Sequence, residues 1–186
     1  PHYLLQLETS HCPVTRAALG GHPDGDHAPV LCRLRLDAGY AAGNLAMISR
    51  AAARAKAGVA DADAARAQAD QLARLGDDTR HAGLDAAAWA RLATLMSFAL
   101  PLPQAHAARL PLRMLPPNRV RVLGAAQGLQ ALLTLRLTDA GWARRARAVA
   151  DLLPRNGLRT DFNLFVGAIA VPLMRTPADA GPREQR

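Results

Sequence analysis

The sequence predicts a mainly α-helical protein in which a small N-terminal β-hairpin-plus-helix unit precedes a helical body of about five helices. Alanine, the residue with the highest helix propensity, supplies 41 of the 186 residues, and only 4% are aromatic. Beyond residue 45 the apolar residues follow helical spacing, without the alternating strands and helices that build a parallel sheet. Half of the residues are hydrophobic, which excludes a fully disordered chain.

The N-terminal part differs in composition from the rest of the chain. Residues 1–43 contain four of the six histidines, both cysteines and the glycine-rich stretch 20–25. Residues 3–7 are apolar and suit a short strand or the start of a helix. Arginine then alternates with cysteine and leucine, which predicts a strand over 29–36 with one buried face.

A turn and then a helix are predicted after this strand. Residues 37–40 and the pair Gly43-Asn44 have turn composition, and Asn44 is also a favourable helix N-cap residue. We therefore expect a helix over 45–57 that is ended by Gly58. Its apolar face consists of Leu45, Ile48, Ala52 and Ala55.

The first two helices of the body are alanine-rich and have clear start signals. Asp61 and Asp85 are candidate N-caps of helices over 61–75 and 85–100. The second of these helices carries a broad apolar stripe that includes Trp89. Both helices are therefore expected to pack in the core.

The C-terminal part begins with a segment in which five prolines between residues 101 and 117 allow short helices at most. A brief extended piece is expected over 118–123. Helices are then predicted over 125–137, 138–153 and 162–174. Their candidate N-caps are Thr138 for the second helix and Thr160 or Asp161 for the third.

These elements predict three regions: residues 1–58 as the hairpin-plus-helix unit, 59–175 as the helical body, and 176–186 as a flexible tail. The most apolar run, 162–174, is too short for a transmembrane helix and contains Pro172. The chain opens with Pro1 and shows no signal peptide, so we expect a cytoplasmic protein, with a missing upstream segment as an open alternative. Two cysteines do not make a disulfide scaffold.

Positive charge is concentrated in the C-terminal half of the chain. The formal net charge is +8, and residues 101–175 carry eleven basic and three acidic side chains, whereas 59–100 carry four and six. Arginine supplies 22 of the 23 basic residues, and Lys56 is the only lysine. This distribution is typical of a polyanion-binding face, with an ordinary solvated arginine surface as the alternative.

Residues 27–56, HAPVLCRLRLDAGYAAGNLAMISRAAARAK, resemble the core of the HNH endonucleases of phages and bacteria. In that family a strand with an acidic–basic pair leads to a Gly-Tyr turn, and a Gly-Asn pair then opens a helix that ends near a lysine or histidine. His11-Cys12-Pro13 looks like the Cys-Pro turn that often opens such treble-clef units. The matching positions are Arg33, Gly39, Tyr40, Gly43, Asn44, Ser49 and Lys56.

The resemblance implies a ββα unit that holds one divalent cation, Mg²⁺ or Mn²⁺, between hairpin and helix, with an asparagine that orients the base. Three positions depart from the pattern. The acidic partner of Arg33 is replaced by Cys32, a second carboxylate by Arg35, and an asparagine on the helix by Ala53. Because Mg²⁺ prefers oxygen ligands, we expect an HNH-like unit whose catalysis is impaired.

Our leading hypothesis is therefore binding of DNA or another polyanion without efficient nuclease activity. A second hypothesis keeps a nuclease, with His27 or His22 as the base, Asn44 as the orienting residue, and Asp24, Asp26 or Asp37 as metal ligands. A third is a helical module that binds a protein partner and has no nucleic-acid role. The candidate nucleic-acid-binding residues are Arg33, Arg35, Arg50, Arg54, Lys56, Arg144, Arg145 and Arg147.

Zinc is a weaker alternative for the N-terminal region. Its cysteines and histidines could supply four ligands in number, but they show no Cys-x-x-Cys or His-x-x-x-His spacing. We therefore assign no metal ligand from the sequence. The candidates considered are His11, Cys12, His22, His27 and Cys32.

Overall fold

The computed structural model describes residues 2–137, 141–154 and 157–175, and its secondary structure is mainly α-helical. Within these residues one two-stranded antiparallel sheet pairs β1 (Pro29–Arg33) with β2 (Leu45–Ser49). The helices are α1 (His2–Leu5), α2 (Arg50–Ala57), α3 (Ala62–Leu75), α4 (Ala86–Phe98), α5 (Gln104–Arg109), α6 (Ala125–Leu137), α7 (Trp142–Leu152) and α8 (Gly157–Arg175). The predicted fold class, a hairpin and helix followed by a helical body, is confirmed.

The second strand of the hairpin lies where the sequence predicted helix. Val30 pairs with Ile48 and Cys32 with Ala46, so residues 45–49 belong to the sheet, and the prediction of helix over 45–57 is wrong for them. The run is almost wholly apolar and is buried on both of its faces. A short apolar run of this kind has no alternation that would distinguish a buried strand from a helix.

Helix α2 consequently starts at Arg50 and is capped by Ser49. The Ser49 hydroxyl oxygen accepts a hydrogen bond from the Ala52 amide at 3.3 Å, which satisfies one free N–H of the first turn. The interpretation of Asn44 as the helix N-cap is therefore wrong. Gly58 does end the helix, as predicted.

The first strand is shorter than predicted. Strand β1 ends at Arg33 instead of residue 36, although the Leu34 amide still donates to the Asn44 carbonyl at 2.9 Å. The chain then leaves the sheet in a loop over 34–44. Leu34 is buried but Leu36 is exposed, so the predicted buried face does not extend into the loop.

Helices α3 and α4 confirm the predictions made from their caps. The Asp61 carboxylate accepts from the Ala64 amide at 2.8 Å, and the Asp85 carboxylate accepts from the Ala88 amide at 2.7 Å. The two helices pack along each other, and Trp89 of α4 is almost wholly buried between them and the loop before α4. Helix α4 ends at Phe98, two residues before the predicted end.

One hydrophobic core serves both the hairpin-plus-helix unit and the helices that follow. Its buried members include Ile48 of β2, Ala52 of α2, Leu72 of α3 and Leu92 of α4. Burial of this shared apolar surface holds the sheet and α2 against the α3–α4 pair. The boundary between residues 58 and 59 stays a prediction.

The segment 118–123, which precedes α6, contacts residues on the surface of this core. Its Arg121 amide donates to the Gly43 carbonyl at 2.9 Å, and its Leu123 amide donates to the Phe98 carbonyl at 2.8 Å. Residues 118 and 119 form a turn in which Arg119 has φ of 60°, so the prediction of an extended piece is wrong at its start, and residues 120–123 belong to no helix or sheet. By its two hydrogen bonds the segment connects the loop 34–44 to the end of α4.

The last three helices form the C-terminal part of the described chain. Helix α6 has the predicted bounds, and α7 packs against both α6 and α8. Helix α8 starts at Gly157, so the predicted start at Thr160 or Asp161 is wrong: no proline lies between Pro154 and Thr160 to prevent an earlier start. Thr138 and residues 176–186 lie outside the described residues. Among those described, no helix combines the length and the apolar character needed to cross a bilayer.

Candidate functional site

The loop between the two strands is fixed by the side chain of Asn44, which is only 6% exposed. Its amide oxygen accepts from the Arg35 amide at 2.8 Å, and its amide nitrogen donates to the Arg35 carbonyl at 2.9 Å and the Gly39 carbonyl at 2.8 Å. Three hydrogen bonds from one buried side chain hold the ends of the loop together. Asn44 thus has a structural role, and its predicted role in orienting a base stays a prediction.

Two glycines of the HNH-like pattern adopt backbone conformations that disfavour other residues. Gly39 has φ of 62° and Gly43 has φ of 85°, both in the left-handed region. Gly43 also lies against the neighbouring segment, because a Cβ added there would lie 2.7 Å from the Cβ of Arg121. The Gly43 amide donates to the Tyr3 hydroxyl, which ties α1 to the same loop.

The Cys-Pro turn is joined to the start of α2 by a buried thiol. Cys12 is wholly buried, and its sulfur accepts hydrogen bonds from the Ser49 amide at 3.2 Å and the Thr15 amide at 3.4 Å. The Arg16 amide donates to the Cys12 carbonyl at 2.8 Å and completes the turn. The sulfur lone pairs are therefore directed to backbone amides of the protein.

Lys56 of α2 is nearly buried, and its charge acts on the thiol of Cys32 in β1. The lysine is only 5% exposed, although it belongs to the last turn of an eight-residue helix. Burial raises the pKa of the Cys32 thiol, and the positive charges of Lys56 and Arg33 lower it by smaller amounts. Within the part of the chain that the structure describes, the Lys56 ammonium forms no hydrogen bond or ion pair. The packing of α2 on the hairpin therefore brings a positive charge within reach of Cys32.

The residues at the three positions that depart from the pattern do not fit the divalent cation that the HNH resemblance implies. A cation such as Mg²⁺ takes oxygen ligands, whereas the three departing positions hold a thiol, a guanidinium and a methyl group. The Arg35 guanidinium forms an ion pair with Asp37 and holds the pKa of that carboxyl below its usual range. In residues 2–137, 141–154 and 157–175, no three His, Cys, Asp or Glu side chains are placed to hold a metal ion.

Three further arginines of the unit, Arg33, Arg50 and Arg54, each contact another part of the protein. The Arg33 guanidinium lies 4.9 Å from the centre of the Tyr40 ring, a cation–π contact. Arg50 donates to the Pro23 carbonyl at 3.0 and 2.6 Å, and Arg54 forms an ion pair with Asp26. The last two contacts hold the glycine-rich loop against α2.

The histidines proposed as bases lie on that glycine-rich loop. His22 and His27 are both exposed, and the Nδ1 of His22 accepts from the Asp24 amide at 3.2 Å. The Asp26 carboxylate, one of the proposed metal ligands, is already paired with Arg54. The segment that carries the candidate bases is held near α2 by the contacts of Arg50 and Arg54.

The eight candidate nucleic-acid-binding residues fall into two separate groups of elements. Arg33, Arg35, Arg50, Arg54 and Lys56 belong to the hairpin, its loop and α2. The second group consists of Arg144, Arg145 and Arg147, which are all exposed on α7. Helix α7 packs against α6 and α8, so the last three lie on a different part of the fold from the first five.

Some residues that position the unit were not identified from the sequence. Arg91 of α4 donates from its Nε to the Val14 carbonyl and so fixes the Cys-Pro turn on α4. Burial lowers the pKa of this arginine. No local signal in the sequence distinguishes Arg91 from the exposed arginines, because its partner is distant along the chain.

Comparison with known proteins adds no further assignment. No family model, no curated protein and no solved structure matches the chain. The function is therefore inferred from the residues and their geometry.

Proposed function

We propose that this protein binds duplex DNA through its arginine-rich surface and that its HNH-like unit does not cleave the DNA. One observation carries the proposal: Lys56 of α2 is only 5% exposed, and its positive charge acts on the thiol of Cys32 in β1. An ammonium at this place repels a divalent cation and attracts an anion. The unit thus keeps a ββα frame. Its charge favours an anion, whereas a metal-dependent nuclease must bind a cation.

The distribution of charge supports an anionic partner. The chain has a formal net charge of +8, and its basic residues are nearly all arginines, which bind phosphate by two parallel hydrogen bonds. Both cysteines are free thiols, which agrees with a reducing compartment. A cytoplasmic location, where DNA is accessible, is part of this proposal.

Titration of a fluorescent duplex with the full chain tests the proposal. Binding is expected at about 50 mM salt and is expected to weaken steeply by about 200 mM, because neutralised phosphates release counterions. Undetectable binding at the lower salt, or an affinity that does not depend on salt, would overturn the proposal.

Incubation with supercoiled plasmid and Mg²⁺ or Mn²⁺ tests the absence of cleavage. We expect intact plasmid, because Cys32, Arg35 and Ala53 stand where the HNH pattern has oxygen ligands. Cleavage that is lost in both His27→Ala and Asn44→Ala variants would support the nuclease hypothesis instead. A stable complex with an acidic protein, without copurifying nucleic acid, would support the protein-interaction hypothesis.

A further inference from the structure

A cavity lies between α3, α4 and the proline-rich segment, away from the hairpin and α2. Its volume is about 310 Å³, in the lower part of the range for small-molecule sites. The cavity exists because the facing surfaces of α3 and α4 carry alanines, which cannot fill the space between the helices. These residues are Ala62, Ala69, Ala90 and Ala93.

The wall contributed by α4 is polar as well as apolar. Thr94 and Ser97 line the cavity and are 7% and 2% exposed. Thr94 donates its hydroxyl hydrogen to the Ala90 carbonyl at 2.9 Å, and Ser97 donates to the Thr94 carbonyl at 2.7 Å. The Ser97 oxygen also accepts from Gln127 of α6 at 2.8 Å. The Thr94 hydroxyl acts only as a donor in this contact, so the lone pairs of its oxygen are available to a donor inside the cavity.

The rim carries unlike charges that do not pair with each other. Asp70 of α3 and Arg113 of the proline-rich segment both line the cavity. Among the described residues, neither the Asp70 carboxylate nor the Arg113 guanidinium forms a hydrogen bond or an ion pair. The neighbouring charges of Asp63 and Arg66 are satisfied by each other at 3.6 Å.

We propose that this cavity binds a free amino acid with an apolar side chain. The ammonium group donates to Asp70 and Thr94, the carboxylate accepts from Arg113, and the side chain packs against the alanines. A ligand of this kind matches both unpaired rim charges at once, whereas a simple cation or anion matches only one. The proposal is independent of DNA binding, because the lining residues lie outside the hairpin and α2.

Isothermal titration of the full chain with L-leucine and with L-phenylalanine tests the proposal. The charge requirement is tested with leucinamide, which lacks the carboxylate, and N-acetyl-leucine, which lacks the ammonium. Each is expected to bind at least about tenfold more weakly than leucine, since hydrogen bonds between charged groups are lost. Absence of binding by both amino acids at about 10 mM, or equal binding of leucinamide, would overturn the proposal.

Two exposed variants and their matched controls locate the site. Asp70→Asn and Arg113→Gln are expected to weaken leucine binding by at least about tenfold. The controls Asp78→Asn and Arg109→Gln change the same charges at exposed positions that do not line the cavity, and are expected to bind leucine unchanged. Binding that is unaffected by either rim variant, or equally reduced by the controls, would overturn the assignment.

Discussion

At the scale of single residues, Asn44 shows how a residue of the HNH-like pattern supports the fold. Its side chain makes three hydrogen bonds to backbone groups of the loop while nearly buried. Replacement by alanine leaves three backbone partners without hydrogen bonds in a region that water hardly reaches. We predict that Asn44→Ala lowers the free energy of unfolding by about 2–4 kcal/mol.

Urea denaturation of matched variants measures this effect. Asn44→Asp keeps the accepted bond and loses the two donated bonds, so its loss of stability should be intermediate if the carboxylate is tolerated. Asn163→Ala is the control, because Asn163 is exposed on α8. A change below about 0.5 kcal/mol for Asn44→Ala would show that the loop does not depend on this side chain.

The thiol of Cys32 reports on the charge of Lys56. Burial raises the pKa of Cys32 and the lysine charge lowers it, so Lys56→Met removes the lowering effect and raises the pKa further. The reactive thiolate is then rarer at any given pH, and we predict slower alkylation with a midpoint at higher pH. Mass spectrometry of iodoacetamide-treated protein measures the reaction at Cys32 separately from the buried Cys12.

Arg54→Met is the control for this experiment. Arg54 lies on the same helix as Lys56, but it is exposed and pairs with Asp26, and it does not shift the pKa of Cys32. Its alkylation profile should match that of the unmodified protein. A profile that is the same for Lys56→Met and the unmodified protein would contradict the position assigned to the ammonium.

At the scale of elements, the contact between the loop 34–44 and the segment 118–123 depends on Gly43. Alanine at Gly43 has an unfavourable φ and also a Cβ that lies 2.7 Å from Arg121, whereas alanine at Gly39 has the unfavourable φ with open space around it. We predict that Gly39→Ala costs about 1 kcal/mol of stability and that Gly43→Ala costs at least about 1 kcal/mol more.

A double-mutant cycle separates the steric part of this cost. Arg121→Gly removes the colliding Cβ, so the extra cost of Gly43→Ala should largely disappear in that background. Chemical denaturation of the four proteins in the cycle gives the coupling energy. Equal costs for Gly39→Ala and Gly43→Ala would show that the segment 118–123 does not pack against the loop.

The elements also show what the sequence could and could not predict. Helices α3 and α4 were predicted with their caps, because Asp61 and Asp85 bond to amides three residues away. The prediction of helix for strand β2 is wrong because its partner, β1, is separated from it by the eleven-residue loop 34–44. The pairing is a tertiary interaction, and no local spacing reveals it.

The same distinction applies to the candidate site. The departures at Cys32, Arg35 and Ala53 are visible in the sequence, and they predict a poor site for a hard cation. The burial of Lys56 was not predicted, because a lysine in the last turn of a helix is normally exposed and favoured by the helix dipole. Its burial results from the packing of α2 against the sheet.

At the scale of the whole molecule, the positive charge is divided between the hairpin-plus-helix unit and the C-terminal helices. Arg35 and Arg54 of the first group are neutralised by Asp37 and Asp26. Helix α7 presents three exposed arginines within four positions and contains a single acidic residue, Asp151. The long-range attraction of DNA should therefore arise more from α7 than from the paired arginines.

A pair of triple variants with equal net charge distinguishes a local binding surface from a general charge effect. Replacing Arg144, Arg145 and Arg147 with glutamine lowers the formal charge from +8 to +5, and so does replacing Arg66, Arg74 and Arg80 of the acidic region 59–100. If α7 contacts phosphates, the first triple variant should reduce the slope of log affinity against log salt by about 3. The second should leave the slope nearly unchanged. Equal weakening by both variants would mean that DNA senses only the total charge, and α7 would then not be a binding surface.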